Sequence, residues 1–95
     1  MRIPIEKILS ASSGDHGVDK NLVADLTALI EHGATILPVV VFTDPGGRHW
    51  LADGYCRLLA SRKAGQVEIE AQGISGTKED AISYRDGALA AQGRR

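Results

Sequence analysis

Residues 36–65 read ILPVVVFTDPGGRHWLADGYCRLLASRKAG. The run from Ile36 to Phe42 is continuously apolar and rich in β-branched side chains, as expected of a strand covered on both faces. Pro38 suits the beginning of such a strand or an edge position, because it has no N–H to give to a ladder. Asp44-Pro45-Gly46-Gly47 reads as a turn, in which the proline fixes one φ angle and the glycines accept positive φ at little steric cost. A second short strand follows through His49, Trp50, Leu51 and Ala52, so residues 36–52 form a predicted hairpin. Gly54 then begins a helix that Gly65 ends.

On the N-terminal side of this stretch, Ile3, Ile5 and Ile8-Leu9 predict one short strand, followed by a loop from Ser10 to Gly17. Val18, Leu22, Val23, Leu26, Leu29 and Ile30 recur at helical spacing, with Asp15 or Asp19 placed to cap the front and His32-Gly33 to stop the helix. On the C-terminal side, Val67, Ile69 and Ala71 alternate with Glu68, Glu70 and Gln72, a strand with one wet face. Thr77 followed by Asp80 resembles a capping box, Glu79 suits the positive helix start, and Ala81, Ile82, Leu89 and Ala90 continue a last helix that Gly87 weakens. The order strand, helix, hairpin, helix, strand, helix predicts a small mixed α/β (α+β) domain, a short mixed sheet packed by about three helices.

The 95 residues suffice for one domain and leave no chain for a second core. The composition, 43% hydrophobic and 24% charged, is that of an ordinary globular protein. No apolar stretch approaches the ~20 residues of a membrane span, and MRIPIEKIL alternates rather than forming a signal-peptide core. A cytoplasmic protein without a membrane partner is therefore expected. A single cysteine excludes an internal disulfide, and one thiol with three scattered histidines cannot make a structural zinc site. A net charge of −1 supplies no general attraction for nucleic acid. Basic residues gather only locally, at Arg57, Arg62 and Lys63 and at Arg94-Arg95, where a solvated face is the plain reading. Trp50 and Tyr84 read as core or edge residues, because four aromatic residues in all make no stacking platform for single strands.

Around Asp53 a strand ends and a helix begins within three residues. A helix N-terminus leaves up to four backbone N–H groups without intrahelical partners and carries roughly half a positive charge. Gly54 lets the backbone approach a bound group, and Arg57 adds a forked cation suited to phosphate. The alternative is a glycine required by a tight turn and an arginine in water. Asp53 is either a carboxylate that holds a metal ion or takes a proton, or a helix N-cap. Cys56 lies in the first helical turn beside Arg57, a setting in which thiols can react. Helical geometry nevertheless turns it toward Tyr55, Leu59 and Ala60, and no histidine stands near it in the sequence. It reads as a buried, inert filler.

ILPVVVF, a turn, HWLADGYCRLLASRKAG and then VEIEAQ together resemble the N-terminal domain of the ParB/sulfiredoxin superfamily, also called the ParB-like nuclease domain. Gly33, Pro38, Val39, Val41, Asp53, Gly54, Arg57, Ala60 and Gly65 stand at the places that match its pattern. The segment GTKEDAISYRDGALAAQGRR is similar to the continuation found in ParB-like proteins of bacteria, plasmids and phages. The likeness covers residues 2–95 and does not include the helix-turn-helix domain that follows in ParB proteins.

The resemblance implies a nucleotide-binding domain, with CTP or ATP as ligand and magnesium as an optional companion. It serves a DNA-associated process such as partition, transcription regulation or plasmid and phage biology. Residue by residue, it implies phosphate contact by the turn Gly54, Tyr55, Cys56 and Arg57. Asp53 becomes the acidic group before the glycine and the candidate for any catalytic role, and Thr77, Glu79, Arg94 and Arg95 form a closing segment. DNA is reached through another domain or protein, and a homodimer is compatible with the family. The chain also departs from the pattern. Tyr55-Cys56 replaces a charged or histidine pair, and Leu89 and Gln92 stand where asparagine and histidine are favoured. The thiol stands one position later than the catalytic cysteine of sulfiredoxins, about 100° further around a helix, so sulfiredoxin chemistry is not expected. Two other classes follow from the same residues: a domain that has lost its nucleotide and serves protein interaction, and a metal-dependent phosphotransferase or nuclease.

Overall fold

The computed structural model describes residues 1–10 and 19–84. Its elements are β1 (Arg2–Pro4), a 3-10 turn (Ile5–Lys7), β2 (Ile8–Ser10), α1 (Lys20–Glu31), β3 (Val39–Thr43), β4 (His49–Asp53), α2 (Tyr55–Lys63) and β5 (Glu68–Ser75). A third helix, α3, is described over 78–84. The five strands form one mixed sheet in the order β1-β5-β3-β4-β2. β3 lies parallel to β5 and antiparallel to β4, β1 is antiparallel to β5, and β2 is parallel to β4. The small α+β domain expected from the sequence is therefore present.

The N-terminal segment differs from the single strand expected. It forms two strands on opposite edges of the sheet, joined only by Ile5, Glu6 and Lys7. Four residue steps at the ~2 Å rise of a 3-10 turn cover about 8 Å, whereas the edges of a flat five-stranded sheet lie about 19 Å apart. The sheet must curl until its first and last strands approach each other. Ile5 holds the corner, donating its N–H to the Val67 carbonyl at 2.9 Å. Curling encloses Ile3, Ile5, Ile8, Val39, Val41, Leu51, Ile69 and Ala71 on the concave side, where Leu58 of α2 joins them and Tyr55 packs against them.

β3 carries both faces of the domain. Val39 and Val41 are fully buried on the concave side, while Val40 and Phe42 pack outside against Ala52 and Ala81, with Trp50, Ile74 and Ile82 around them. The apolar run is thus two-faced, as its composition predicts, but the strand begins later than Ile36. Pro38 has no N–H to pair, so the ladder starts at Val39 and Leu37 is left 74% exposed. Val67 is likewise exposed, because it sits in the bend before β5; Ile69 and Ala71 point inward and Glu68, Glu70 and Gln72 outward, as alternation requires.

Helix ends follow their sequence signals. Asp19, rather than Asp15, caps α1: its Oδ1 accepts from the N–H groups of Asn21 and Leu22 at 2.9 and 3.1 Å. Asp15 and Val18 lie outside the described residues, as do Gly87, Leu89 and Ala90. Thr77 and Asp80 exchange hydrogen bonds at the start of α3, at 2.9 and 3.3 Å, completing the capping box. α1 packs on α2. Among the described residues, no helix is long and apolar enough to cross a membrane.

The β3–β4 turn is organised by Asp44. Its Oδ1 accepts from the N–H groups of Gly46 and Arg48, and its Oδ2 accepts from Arg48 Nε and Trp50 Nε1, all at 2.9–3.0 Å. Gly47, at φ 83°, completes the turn by donating to the Asp44 carbonyl. The Trp50 hydrogen bond first and then that from the Arg48 amide, with lesser help from the Arg48 charge and the Gly46 amide, hold the Asp44 carboxyl below its usual value of 3.8 against an opposing push from burial. A carboxyl depressed in the folded state stabilises above its unfolded pKa, and that stabilisation is lost as pH falls through the lower folded value. Wild type is therefore expected to melt higher than Asp44→Asn at pH 7, with the gap closing as pH drops below about 4. Thermal melts across pH 2–7, followed by Trp50 fluorescence, measure it; a gap constant over that range counts against a charged Asp44 as organiser of the turn.

Candidate functional site

The end of β4 and the start of α2 meet at an irregularity in the sheet. Val41 faces Leu51 but Val40 faces Asp53, so Ala52 is an extra residue on β4. Such a bulge breaks the in-out alternation and re-aims the residues beside it. Alternation from Leu51 would send Asp53 into the concave core; instead its side chain is 60% exposed. The chain then turns through Gly54 at φ 103° and enters α2, whose first hydrogen bond runs from the Leu58 N–H to the Gly54 carbonyl at 2.9 Å.

Gly54 occupies the N-cap, and no side chain caps the helix. The alternative of Asp53 as N-cap is thereby corrected, because the bulge places Asp53 one residue too early. A Cβ on Gly54 would fall 2.7 Å from Val39 Cγ1 and 3.2 Å from Arg57 Nε. The close approach that this glycine permits is to the protein's own β3 and Arg57.

Arg57 is not an arginine in water. Its side chain is only 21% exposed, and Nη1 donates to the Pro38 carbonyl at 2.7 Å while Nη2 reaches Asp53 Oδ2 at 3.4 Å. It joins the start of β3, the end of β4 and the first turn of α2. Its i,i+4 spacing from Asp53 was visible in the sequence; the Pro38 partner, nineteen positions away, left no local signal. Tyr55 leans into the concave core. Cys56 is a free, half-buried thiol rather than the enclosed one expected. Arg62 and Lys63 end α2 on its exposed flank, where positive charge suits the negative helix end.

Of the remaining candidates, Thr77 and Glu79 do not join this group. Thr77 and Glu79 sit at the start of α3, beyond Ser75, which pairs with Thr43, and Gly76, whose N–H donates to the Thr43 carbonyl at 3.0 Å. Asp53 and Gly54 lie beside Val39 and Val40, at the opposite end of β3, about 13 Å away by strand rise. Arg94 and Arg95 lie outside the described residues. Chemically, the β4–α2 junction offers the amides of a helix start and a guanidinium with five N–H donors, faced by one carboxylate. That donor set fits a phosphate group. Among the described residues, no group of three or more His, Cys, Asp or Glu side chains could hold a metal ion.

No family model and no curated protein matches the sequence. Solved structures do match. C-terminally truncated chromosome-partitioning protein ParB from Caulobacter crescentus, complexed with CTP-γ-S, superposes at TM-score 0.74 and 16% identity, covering 100% of this chain and 53% of that one. Sulfiredoxin from Arabidopsis thaliana superposes at TM-score 0.74 and 27% identity, over 88% of this chain and 96% of that one. The chain has the ParB/sulfiredoxin fold. The truncated Caulobacter ParB complexed to the centromeric parS site matches at TM-score 0.68 and 16% identity, over 90% of this chain and 44% of that one. The chain therefore spans about half the length of the ParB structures it resembles, and it is a ParB-like domain in architecture.

Within this fold the β4–α2 junction makes a sharp stability prediction. Gly33 and Gly54 both have positive φ, but a Cβ on Gly33 meets nothing within 4 Å. Gly33→Ala is expected to cost about 1 kcal/mol for backbone strain alone. Gly54→Ala adds the clash with Val39 and is expected to cost ~3 kcal/mol, lowering Tm by more than 10 °C in a domain of this size. Urea denaturation of the two variants decides; equal losses would show that the Val39 contact does not constrain the junction.

Proposed function

We propose that this chain is a nucleotide-binding ParB-like domain that holds the phosphates of CTP or ATP at the β4–α2 junction. The observation that carries this reading is the inward-anchored Arg57 in the first turn of a helix, on a fold whose relative was solved with CTP-γ-S. The helix start supplies partial positive charge, and Arg57 supplies a fork that matches phosphate oxygens. The Pro38 carbonyl limits the motion of the guanidinium, so less entropy is lost when a ligand arrives. Gly54 and Arg57 are the contacts assigned here, with Tyr55 and Cys56 lining the same turn. The bound nucleotide would serve a DNA-associated process; a relative of the same fold was solved on its parS site, and DNA would be reached through another part of the protein or a partner.

A second reading is a domain without nucleotide that acts in protein interaction. It is favoured by the separation of Thr77 and Glu79 from the Arg57 turn and by the Asp53 carboxylate already facing the guanidinium. A thermal-shift titration with CTP and ATP, with and without magnesium, separates the two. A ligand at about 100 times its dissociation constant adds ~2.7 kcal/mol, a rise of more than 10 °C for a domain of this size. Arg57→Lys keeps the charge but loses the fork, and is expected to abolish most of that rise while the protein still folds. An unchanged Tm of wild type with every nucleotide counts against the nucleotide reading and in favour of the interaction module.

A further inference from the structure

The two hydrogen bonds of Arg57 are unequal. Nη1 meets the Pro38 carbonyl at 2.7 Å, the length of a strong charge-assisted bond, whereas Nη2 lies 3.4 Å from Asp53 Oδ2, at the weak limit. The partners differ as well: the Pro38 carbonyl is backbone fixed at the start of β3, while the Asp53 side chain is 60% exposed and free to swing into water. The bulge at Ala52 brings that carboxylate out of the core and into reach of the guanidinium. Resting on the phosphate-binding reading above, we propose that Asp53 is an internal competitor for Arg57, an exchangeable anion that occupies the Nη2 edge until a ligand phosphate displaces it.

The division of labour follows from the distances. The Pro38 bond persists in both states and keeps the guanidinium aimed at the helix start. The Asp53 contact is the one exchanged, and the displaced carboxylate turns toward solvent. Until it has turned away it also repels an approaching polyphosphate, because like charges within a few ångströms oppose each other even in water. A triphosphate, with several charged oxygens to offer the Arg57 fork and the helix start, offsets both the lost Asp53 contact and the repulsion, and inorganic phosphate does not.

The test compares wild type with Asp53→Asn, which keeps the shape and removes the charge at an exposed position, and with Arg57→Lys. CTP, ATP and inorganic tripolyphosphate are titrated calorimetrically, once with magnesium and once in EDTA. In EDTA, Asp53→Asn is expected to bind the triphosphates about tenfold more tightly than wild type and to admit inorganic phosphate that wild type excludes. Arg57→Lys is expected to lose binding in either background. If wild type binds with magnesium but Asp53→Asn shows no gain in EDTA, competition is overturned while the phosphate site stands. If neither protein binds any probe in either buffer, the phosphate site itself fails, and the competitor with it.

Discussion

Three residues, Ile5 to Lys7, connect strands at the two edges of the sheet, and this short tether governs the geometry of the rest. A flat sheet cannot satisfy it, so the strands close on themselves and a concave interior appears. That interior is narrow, and it is filled by side chains of modest size: three N-terminal isoleucines, Val39, Val41, Leu51, Ile69, Ala71 and one leucine from α2. A chain of 95 residues buries a small fraction of its surface compared with larger domains. Curling lets β3 be enclosed on the concave side while its other face is covered by α3, so a five-residue strand supplies both apolar layers.

The same closure positions the candidate site. Beside the central β3, β4 leaves the sheet through a bulge and a left-handed glycine. Gly54 is then constrained from inside, by Val39, as firmly as a ligand could constrain it from outside. A glycine at such a turn is therefore weak testimony for a ligand. Arg57 also has work inside the protein, since its guanidinium ties the Pro38 carbonyl and the Asp53 carboxylate to the first turn of α2.

The two-faced β3, the Asp44 turn, the caps of α1 and α3 and the wet face of β5 were legible in the sequence because each rests on neighbours within a few positions. Asp44 needs only Gly46, Arg48 and Trp50, and the Thr77–Asp80 box spans one helical turn. What escaped was non-local. The split of residues 2–10 into strands on opposite edges depends on the curl of the whole sheet. The Ala52 bulge appears only when β4 is set against β3, and the Pro38 carbonyl becomes a partner of Arg57 only when the start of β3 is brought beside α2. Asp53 as an N-cap was a fair local reading that a one-residue bulge overrides.

The junction also explains why its most eye-catching residue carries the least. Cys56 follows Tyr55, whose ring belongs to the concave core, and precedes Arg57, whose guanidinium points back to β3. These two neighbours anchor the first turn of α2 on either side of the thiol and leave it half-buried between them. The turn is held by Val39 against Gly54, by Pro38 against Arg57 and by Tyr55 against the concave core, and none of these contacts depends on Cys56. Departure from the pattern at Cys56 thus changes the lining of the turn, while Tyr55 takes a place against the core and the guanidinium is anchored by a backbone carbonyl that neither side chain supplies.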